Sequence, residues 1–322
     1  MPRARFDLSE DRQSIADLLR TRQEDGYEPP PLRVTSDAAL ERELELLGSE
    51  ESFGAVTRQG SQILGLASWR WLAFDSEQLG ISAARLDLLV SAGGYAEALE
   101  RKTALLGIVT EECRLRGVRY LTARVAAGEL STIHALGRCG FDILDGIVTF
   151  SIRLDHAERR PAANGLEVRL YQEGDLEQLL EIARSSYTCD RFHIDRALPP
   201  GAADRLYAAW VTRSCTGKEA DAVIVTTLGG RVAGYVTCKL VRDPGQNGKP
   251  PSGVIGLVAT AEHARGQGVA SATLQGAFDW FRQQEVNTVE VGTQMQNAGA
   301  CRLYGQCGFR MARMSLTYRR LL

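Results

Sequence analysis

Two glycines bracket a glutamine in Arg265-Gly266-Gln267-Gly268-Val269-Ala270, just ahead of an apolar-periodic run that starts near Ser271. Glycine tolerates positive φ and lets a ligand approach the backbone closely. A glycine loop that opens a helix can therefore aim several N–H groups at one anion, with the helix dipole adding to the attraction. A phosphate or pyrophosphate is the expected ligand. Downstream, Asn297 precedes a short helical stretch that its side chain can cap, and Tyr304 follows on that stretch.

The elements that must hold these residues occur twice. Residues 118–141 (VRYLTARVAAGELSTIHALGRCGF) lie over 286–309 (VNTVEVGTQMQNAGACRLYGQCGF) without a gap, at an offset of 168 residues. Each copy reads as an alternating strand, a polar loop, a helix of about ten residues and a Gly-Phe turn into another strand. Upstream, 55–68 and 222–237 each read as a β-hairpin with a glycine-bearing turn. Ahead of these, 14–20 and 176–183 have one apolar face, and each follows a short strand, 3–8 or 166–171. The polar segment 156–165 (HAERRPAANG) reads as a linker. An α+β protein of two like domains, 1–155 and 166–322, is expected. At the same offset the glycine loop falls on Glu97-Ala98-Leu99-Glu100-Arg101-Lys102, and Tyr304 falls on Leu136. Both glycines are absent there, and the two glutamates repel phosphate. The anion site is thus expected in the second copy alone.

With 322 residues, 44% apolar and 24% charged, the chain can build two ordinary cores. A net charge of −2 argues against a nucleic-acid surface, which carries a strong basic excess. The N-terminus lacks an apolar signal region, and no apolar run reaches the roughly 18 residues a membrane span needs. Seven cysteines (Cys113, Cys139, Cys189, Cys215, Cys238, Cys301 and Cys307) are scattered without C-x-x-C pairs, as expected of reduced thiols in a cytoplasmic protein. His134, His156, His193 and His263 show no metal-ligand spacing, so no metal is expected. His193 and His263 read as polar surface, with substrate contact as the other reading of His193.

The glycine loop, the strand VIGLVA (254–259) before it and the helix after it resemble motif A of the GNAT acetyltransferases, Q/R-x-x-G-x-G/A. Asn297, Tyr304 and the Gly308-Phe309 turn resemble motif B. The likeness covers 254–318. It implies two tandem GNAT-like domains, each a mixed, mostly antiparallel sheet flanked by helices, the first degenerate and the second catalytic. It also implies acetyl-CoA as cofactor, with its pyrophosphate on the amides of Arg265, Gly266, Gln267, Gly268, Val269 and Ala270 and on the helix N-terminus at Ser271. A narrower resemblance, to the dTDP-fucosamine acetyltransferases, rests on Arg191-Phe192, on 205–210 (RLYAAW) and on 293–297 (TQMQN) through Tyr304. In the first half it rests on Leu136-Gly137, Gly140-Phe141 and Asp145-Gly146. It implies a nucleotide-linked amino sugar as acceptor.

In the family, the strand before the loop carries a bulge that opens a slot for the thioester. Here Gly256-Leu257-Val258-Ala259 would supply it. The amide of Leu257 or Val258 would meet the developing oxyanion, and Val258 and Thr260 would pair with the pantetheine amides. Family members place a phenol near the sulfur at the spacing of Tyr304 from Asn297. A phenol of pKa about 10 can protonate a thiolate whose conjugate acid lies near 8.5; the alternative is a packing tyrosine. Asn297 reads as the cap of its helix, with a contact to CoA as the further reading. Asp145 matches an acidic residue of the narrower family and is the base candidate, against a solvated turn aspartate. Glu290 is a second candidate, against an outward-facing strand residue. Tyr187, Phe192, Tyr207 and Trp210 offer rings on which a sugar or nucleobase can stack, with Arg191 and Gln294 beside them.

The expected function is acetyl-CoA-dependent N-acetylation of a primary amine of a small molecule, by direct attack on the thioester. A peptide, polyamine or aminoglycoside acceptor stays open, as do a non-catalytic acyl-CoA binder and a homodimer. Retention of Tyr304 favours an enzyme.

Overall fold

The computed structural model describes residues 7–24, 37–49, 51–157, 165–188, 190–242 and 250–322. Most of the expected strand at 3–8, most of the linker at 156–165, and Cys189 lie outside the described residues. Leu8 itself opens a helix.

The first half runs α1 (Leu8–Glu24), α2 (Asp37–Leu47), β1 (Ser52–Gln59), β2 (Gln62–Trp71), α3 (Ala73–Leu79), β3 (Ala83–Ser91), α4 (Tyr95–Leu115), β4 (Tyr120–Ala126), α5 (Leu130–Arg138) and β5 (Asp142–Arg153). The second runs β6 (Leu166–Leu170), α6 (Leu176–Ser186), α7 (Arg191–Ile194), α8 (Ala202–Cys215), β7 (Ala222–Leu228), β8 (Arg231–Val241), β9 (Ser252–Thr260), α9 (Val269–Gln283), β10 (Thr288–Gln294), α10 (Ala298–Gln306) and β11 (Arg310–Leu321). Both expected hairpins form, as β1–β2 and β7–β8.

The chain divides into two compact units that do not follow its two halves. One takes the chain up to Gly146 together with Arg313–Leu322, and the other takes the described residues from Ile147 to Ala312. The strand order is β1-β2-β3-β4-β11 in the first and β5-β10-β9-β8-β7-β6 in the second. Pairing is antiparallel except for β3–β4 and β9–β10, which run parallel. Each unit thus draws one strand from the other half of the sequence. The reason is apolar burial: on β11, Tyr318 is 2% exposed and packs into the first unit's core with Leu105, Val109 and Leu121. Burying such a side chain is worth about 1.5–3 kcal/mol.

Both units keep a bulge at the same place. In the second, Val236 faces Val258 and Cys238 faces Ile255, so that Gly256 and Leu257 oppose Thr237 alone. Parallel pairing of β9 with β10 ends at Ile255 and Val291, and the strands part from Gly256 onward. In the first, Ser68 faces Leu88 and Trp69 faces Leu86, leaving Asp87 as the extra residue, and β3–β4 pairing ends at Leu86 and Ala123.

Candidate active site

The glycine loop begins with a 3-10 turn at Glu262–Ala264 and enters α9 through Gly268, the N-cap, at φ 82°. Gly266 is also left-handed, at φ 76°, and a Cβ there would meet nothing within 4 Å. An L side chain is strained at these angles, which accounts for both glycines. Residues 265–268 are exposed, while Ala264 and Val269 are buried and anchor the two ends. The Gln267 side chain donates to the His263 carbonyl at 2.9 Å and braces the turn. The first amides of α9 have no carbonyl partner within the helix, and they open onto this exposed loop.

Where β9 leaves β10, Gly256 is exposed and Leu257 and Val258 are half-buried in the middle of a strand. The amide of Leu257 donates to Thr237 Oγ1 at 2.8 Å, so one of the two expected oxyanion donors is already engaged. Successive amides along a strand point to opposite sides, and Val258 is the residue whose N–H turns away from β8. A Cβ on Gly256 would stand 2.9 Å from Thr237 Oγ1, so the bulge requires glycine as its partner. Thr237 was not singled out from the sequence; its signal is a buried threonine facing a strand glycine. Thr260 ends β9, and its carbonyl accepts from Ser186 Oγ at 3.4 Å.

Asn297 caps α10, its Oδ1 accepting from the Ala300 amide at 3.0 Å. Tyr304 on that helix is 3% exposed, with its ring 5.7 Å from both Phe150 and Phe309. Burial, with Cys301 and Cys307 adding to it, pushes its phenol well above the ordinary value. Tyr304 therefore stays protonated across the physiological range, as a proton donor must.

The expected acceptor residues form one aromatic group. Tyr187 stacks on Tyr207 at 4.2 Å and 11°, Trp210 stands edge-on to Tyr207 at 5.2 Å, and Phe192 meets Trp210 at 5.7 Å. Phe192 and Tyr207 are buried, whereas Tyr187 and Trp210 keep part of their surface. The Arg191 guanidinium lies 4.4 Å over the Phe192 ring. Gln294 ends β10, half-buried, opposite Ile147. His193 departs from the surface reading: its side chain is only 17% exposed and contacts two carboxylates. His263 is exposed as expected.

The two base candidates differ. Glu290 sits inside the paired part of β10, facing Ser151 and Val254, one residue before the ladder ends. Asp145 is not a solvated turn residue: it lies on β5, 4% exposed, with neither carboxylate oxygen hydrogen-bonded among the described residues. It belongs to the first unit, and every other candidate named here belongs to the second. Among the described residues, no group of His, Cys, Asp or Glu could hold a metal ion, and no helix is long and apolar enough to cross a membrane.

Residues 176–309 match the acetyltransferase (GNAT) family. Among curated proteins, the chain is 25% identical over 216 residues to a dTDP-fucosamine acetyltransferase of Escherichia coli, covering 67% of this chain and 87% of that one. It is 31% identical over 138 residues to the spore coat polysaccharide biosynthesis protein SpsD of Bacillus subtilis, covering 43% of this chain and 45% of that one. Among solved structures, a GCN5-related N-acetyltransferase from Sphaerobacter thermophilus aligns at TM-score 0.67 and 19% identity, covering 98% and 94% of the two chains. A tandem GNAT protein from the clavulanic acid biosynthesis pathway aligns at 0.62 and 16%, covering 99% and 98%. At these identities the structures establish a shared fold. The family match takes in the glycine loop, the bulged strand and Tyr304, so residues 176–309 form an acetyltransferase (GNAT) family domain.

Proposed function

We propose that the second unit transfers the acetyl group of acetyl-CoA to a primary amine of a small molecule, a nucleotide-linked amino sugar being the favoured class. The observation that carries this reading is the combination, within one unit, of an exposed glycine loop, a β9 that parts from β10 at its bulge, and a desolvated Tyr304. The fit to acetyl-CoA rests on open space at Gly266 and on a bulge that tolerates no side chain at Gly256. Two relatives named for dTDP-fucosamine acetylation and for polysaccharide biosynthesis support the acceptor class.

In this reading the amides from Gly266 to Ser271 hold the pyrophosphate, and Val258 and Thr260 align the pantetheine arm. Acetyl-CoA supplies the activated acyl group as a thioester. The Val258 amide donates to the carbonyl oxygen as negative charge builds on it, while Thr237 keeps the Leu257 amide turned to β8. The Tyr304 hydroxyl gives its proton to the departing thiolate. No base is assigned within the second unit; Asp145, a buried carboxylate without a donor among the described residues, is the candidate from the sequence that mutation tests.

Acetyl-CoA turnover, followed as free thiol, tests this against dTDP-fucosamine, a polyamine, an aminoglycoside and a peptide amine. Thiol release with dTDP-fucosamine is expected. Tight acetyl-CoA binding without release in any arm would make the domain a binder and not an enzyme. Asp145→Asn should lower kcat by roughly a hundredfold with acetyl-CoA binding intact; unchanged kcat would remove Asp145 from the chemistry.

A further inference from the structure

Tyr207 has two near-parallel aromatic neighbours. Tyr187 stacks on it at 4.2 Å, and the His193 imidazole lies near-parallel to it at 5.7 Å and 27°. Both ring nitrogens of His193 face a carboxylate. Its Nδ1 lies 2.5 Å from Asp190 Oδ2, and its Nε2 lies 3.3 Å from Asp204 Oδ1. Asp190 is itself fixed: it is 5% exposed, and its other oxygen accepts the Phe192 amide at 2.9 Å as the N-cap of α7. A carboxylate oxygen thus stands opposite each ring nitrogen and orients the ring.

The far end of the stack reaches the bulged strand. Tyr187 ends α6, where Ser186 bonds the Thr260 carbonyl and Arg265 approaches the Ser185 carbonyl at 3.5 Å. Tyr187 packs in the cluster that holds Ala259 and Val269, with Leu257 against it, and its hydroxyl accepts from Tyr235 at 3.4 Å. Burial first, then the neighbouring phenols of Tyr235, Tyr207 and Tyr304, push the Tyr187 hydroxyl well above its ordinary value. Tyr187 thus keeps a neutral hydroxyl and packs against the same cluster as Leu257 of the bulge.

We propose that His193 is a positioning residue: clamped between Asp190 and Asp204, it presses Tyr207 onto Tyr187 and so fixes the aromatic wall against which the acceptor amine is presented. The role rests on the acetyltransferase reading above, and it adds a residue that touches neither the glycine loop nor Tyr304. A ring loosened at His193 lets Tyr187 turn. The acceptor then binds less tightly while acetyl-CoA, held by α9 and β9, is unaffected.

The test uses the full chain with 3-fluorotyrosine incorporated, the Tyr187 and Tyr207 resonances being assigned from their Tyr→Phe variants. His193→Asn keeps an N–H for Asp190 and removes the stacked ring; Asp204→Asn keeps the ring and removes one carboxylate. In His193→Asn the Tyr187 resonance should move. The KM for dTDP-fucosamine should rise roughly three- to tenfold, the scale of one lost aromatic contact, with the KM for acetyl-CoA unchanged. Asp204→Asn should shift both readouts in the same direction by less. An unmoved Tyr187 resonance, or a KM change shared equally by both substrates, overturns the proposal. If the wild-type chain releases no thiol with any amine, the acetyltransferase reading fails on its own, and the resonance alone decides whether His193 orders Tyr187.

Discussion

Between the two units, the segment 95–100 in the first corresponds to 263–268 in the second, yet one is helix and the other is loop. Tyr95 opens α4 where His263 stands in the 3-10 turn, and Leu115 ends α4 where Gln283 ends α9. The first unit has wound the segment that corresponds to the glycine loop into added helix, which spends on helical hydrogen bonds the amides that an anion would need. Glu100, at the position of Gly268, pairs with Arg138 at 2.7 Å. Where β3 parts from β4, a cavity of about 30 Å³ is lined by Asp87, Arg124 and Glu129 among others, and Asp87, the bulge residue, is held by Arg70 at 2.5 Å and Arg85 at 2.7 Å.

The bulge and the helix pair survive in both units because they are set by burial, which catalysis does not require. Trp69 and Leu105 in the first unit and Tyr235 and Phe278 in the second are fully buried and make the same kind of core. The units differ at the positions the proposed chemistry uses: Gly266, Gly268, Gly256 and Tyr304 in one against Ala98, Glu100, Asp87 and Leu136 in the other, Asp87 standing for Gly256 because each follows the last residue of its parallel ladder.

The comparison breaks most visibly at Tyr304. Tyr304→Phe keeps the packing on Phe150 and Phe309 and removes the proton donor, so kcat should fall by roughly a hundredfold or more with acetyl-CoA affinity little changed. Single-turnover kinetics decide it, since slow product release hides a loss in the chemical step. Because burial raises this phenol, its proton is retained above the ordinary tyrosine range, and no loss of kcat assignable to Tyr304 should appear below about pH 10. Next in size is Gly268→Glu, which imports the first unit's residue. A side chain at φ 82° costs about 1–2 kcal/mol, and its charge opposes phosphate, so acetyl-CoA affinity should fall roughly ten- to hundredfold by calorimetry. The wild-type titration should give one site per chain; two equivalent sites would erase the difference between the units.

A smaller effect is expected at Thr237→Val, which preserves shape but leaves the Leu257 amide without its acceptor. An unpaired buried donor costs about 1–3 kcal/mol, seen as a lower Tm. The kcat should fall by less than in Tyr304→Phe, because the bulge loses its brace and keeps its Val258 amide.

Much of this was legible in the chain. The repeat, both hairpins, the glycine loop, the Asn297 cap and the placement of Tyr304 follow from local pattern, because periodicity and turn chemistry are short-range. What escaped was long-range. Nothing around Ile147 or Arg313 announces that β5 and β11 pair in each other's units, since an alternating strand carries no label for its partner. Thr237 looked like any strand threonine until Gly256 and Leu257 came to lie opposite it. His193 read as polar surface because its neighbours Asp190 and Asp204 are ordinary acidic residues in sequence, and only the fold of α7 against α8 puts one on each ring nitrogen. At Asp145 only the alternative reading fell: a carboxylate beside a glycine also reads as a solvated turn, and its burial is not written locally.

The smallest effect on activity is expected at Lys102, and it sharpens the comparison most directly. Lys102 stands at the position of Ala270 and is 7% exposed. Its ammonium donates to Ser131 Oγ at 2.9 Å and to Thr132 Oγ1 at 2.8 Å, and Thr132 in turn donates to Glu129 at 3.1 Å. The corresponding positions in the second unit, Gly299, Ala300 and Asn297, carry no such cluster. In the first unit, then, a side chain ties α4 to α5, whereas in the second that junction is left to small residues. Lys102→Met keeps the length and apolar stem and removes the donor to the Ser131 and Thr132 hydroxyl oxygens, at a cost of about 1–3 kcal/mol. The Tm should drop while kcat and acetyl-CoA affinity stay at wild-type values. Saturating acetyl-CoA should raise the melting temperature of wild type and variant alike through the second unit, and should raise it less in Gly268→Glu. A Lys102→Met variant that lost acetyl-CoA affinity would show that the first unit's helix pair contributes to the cofactor site after all.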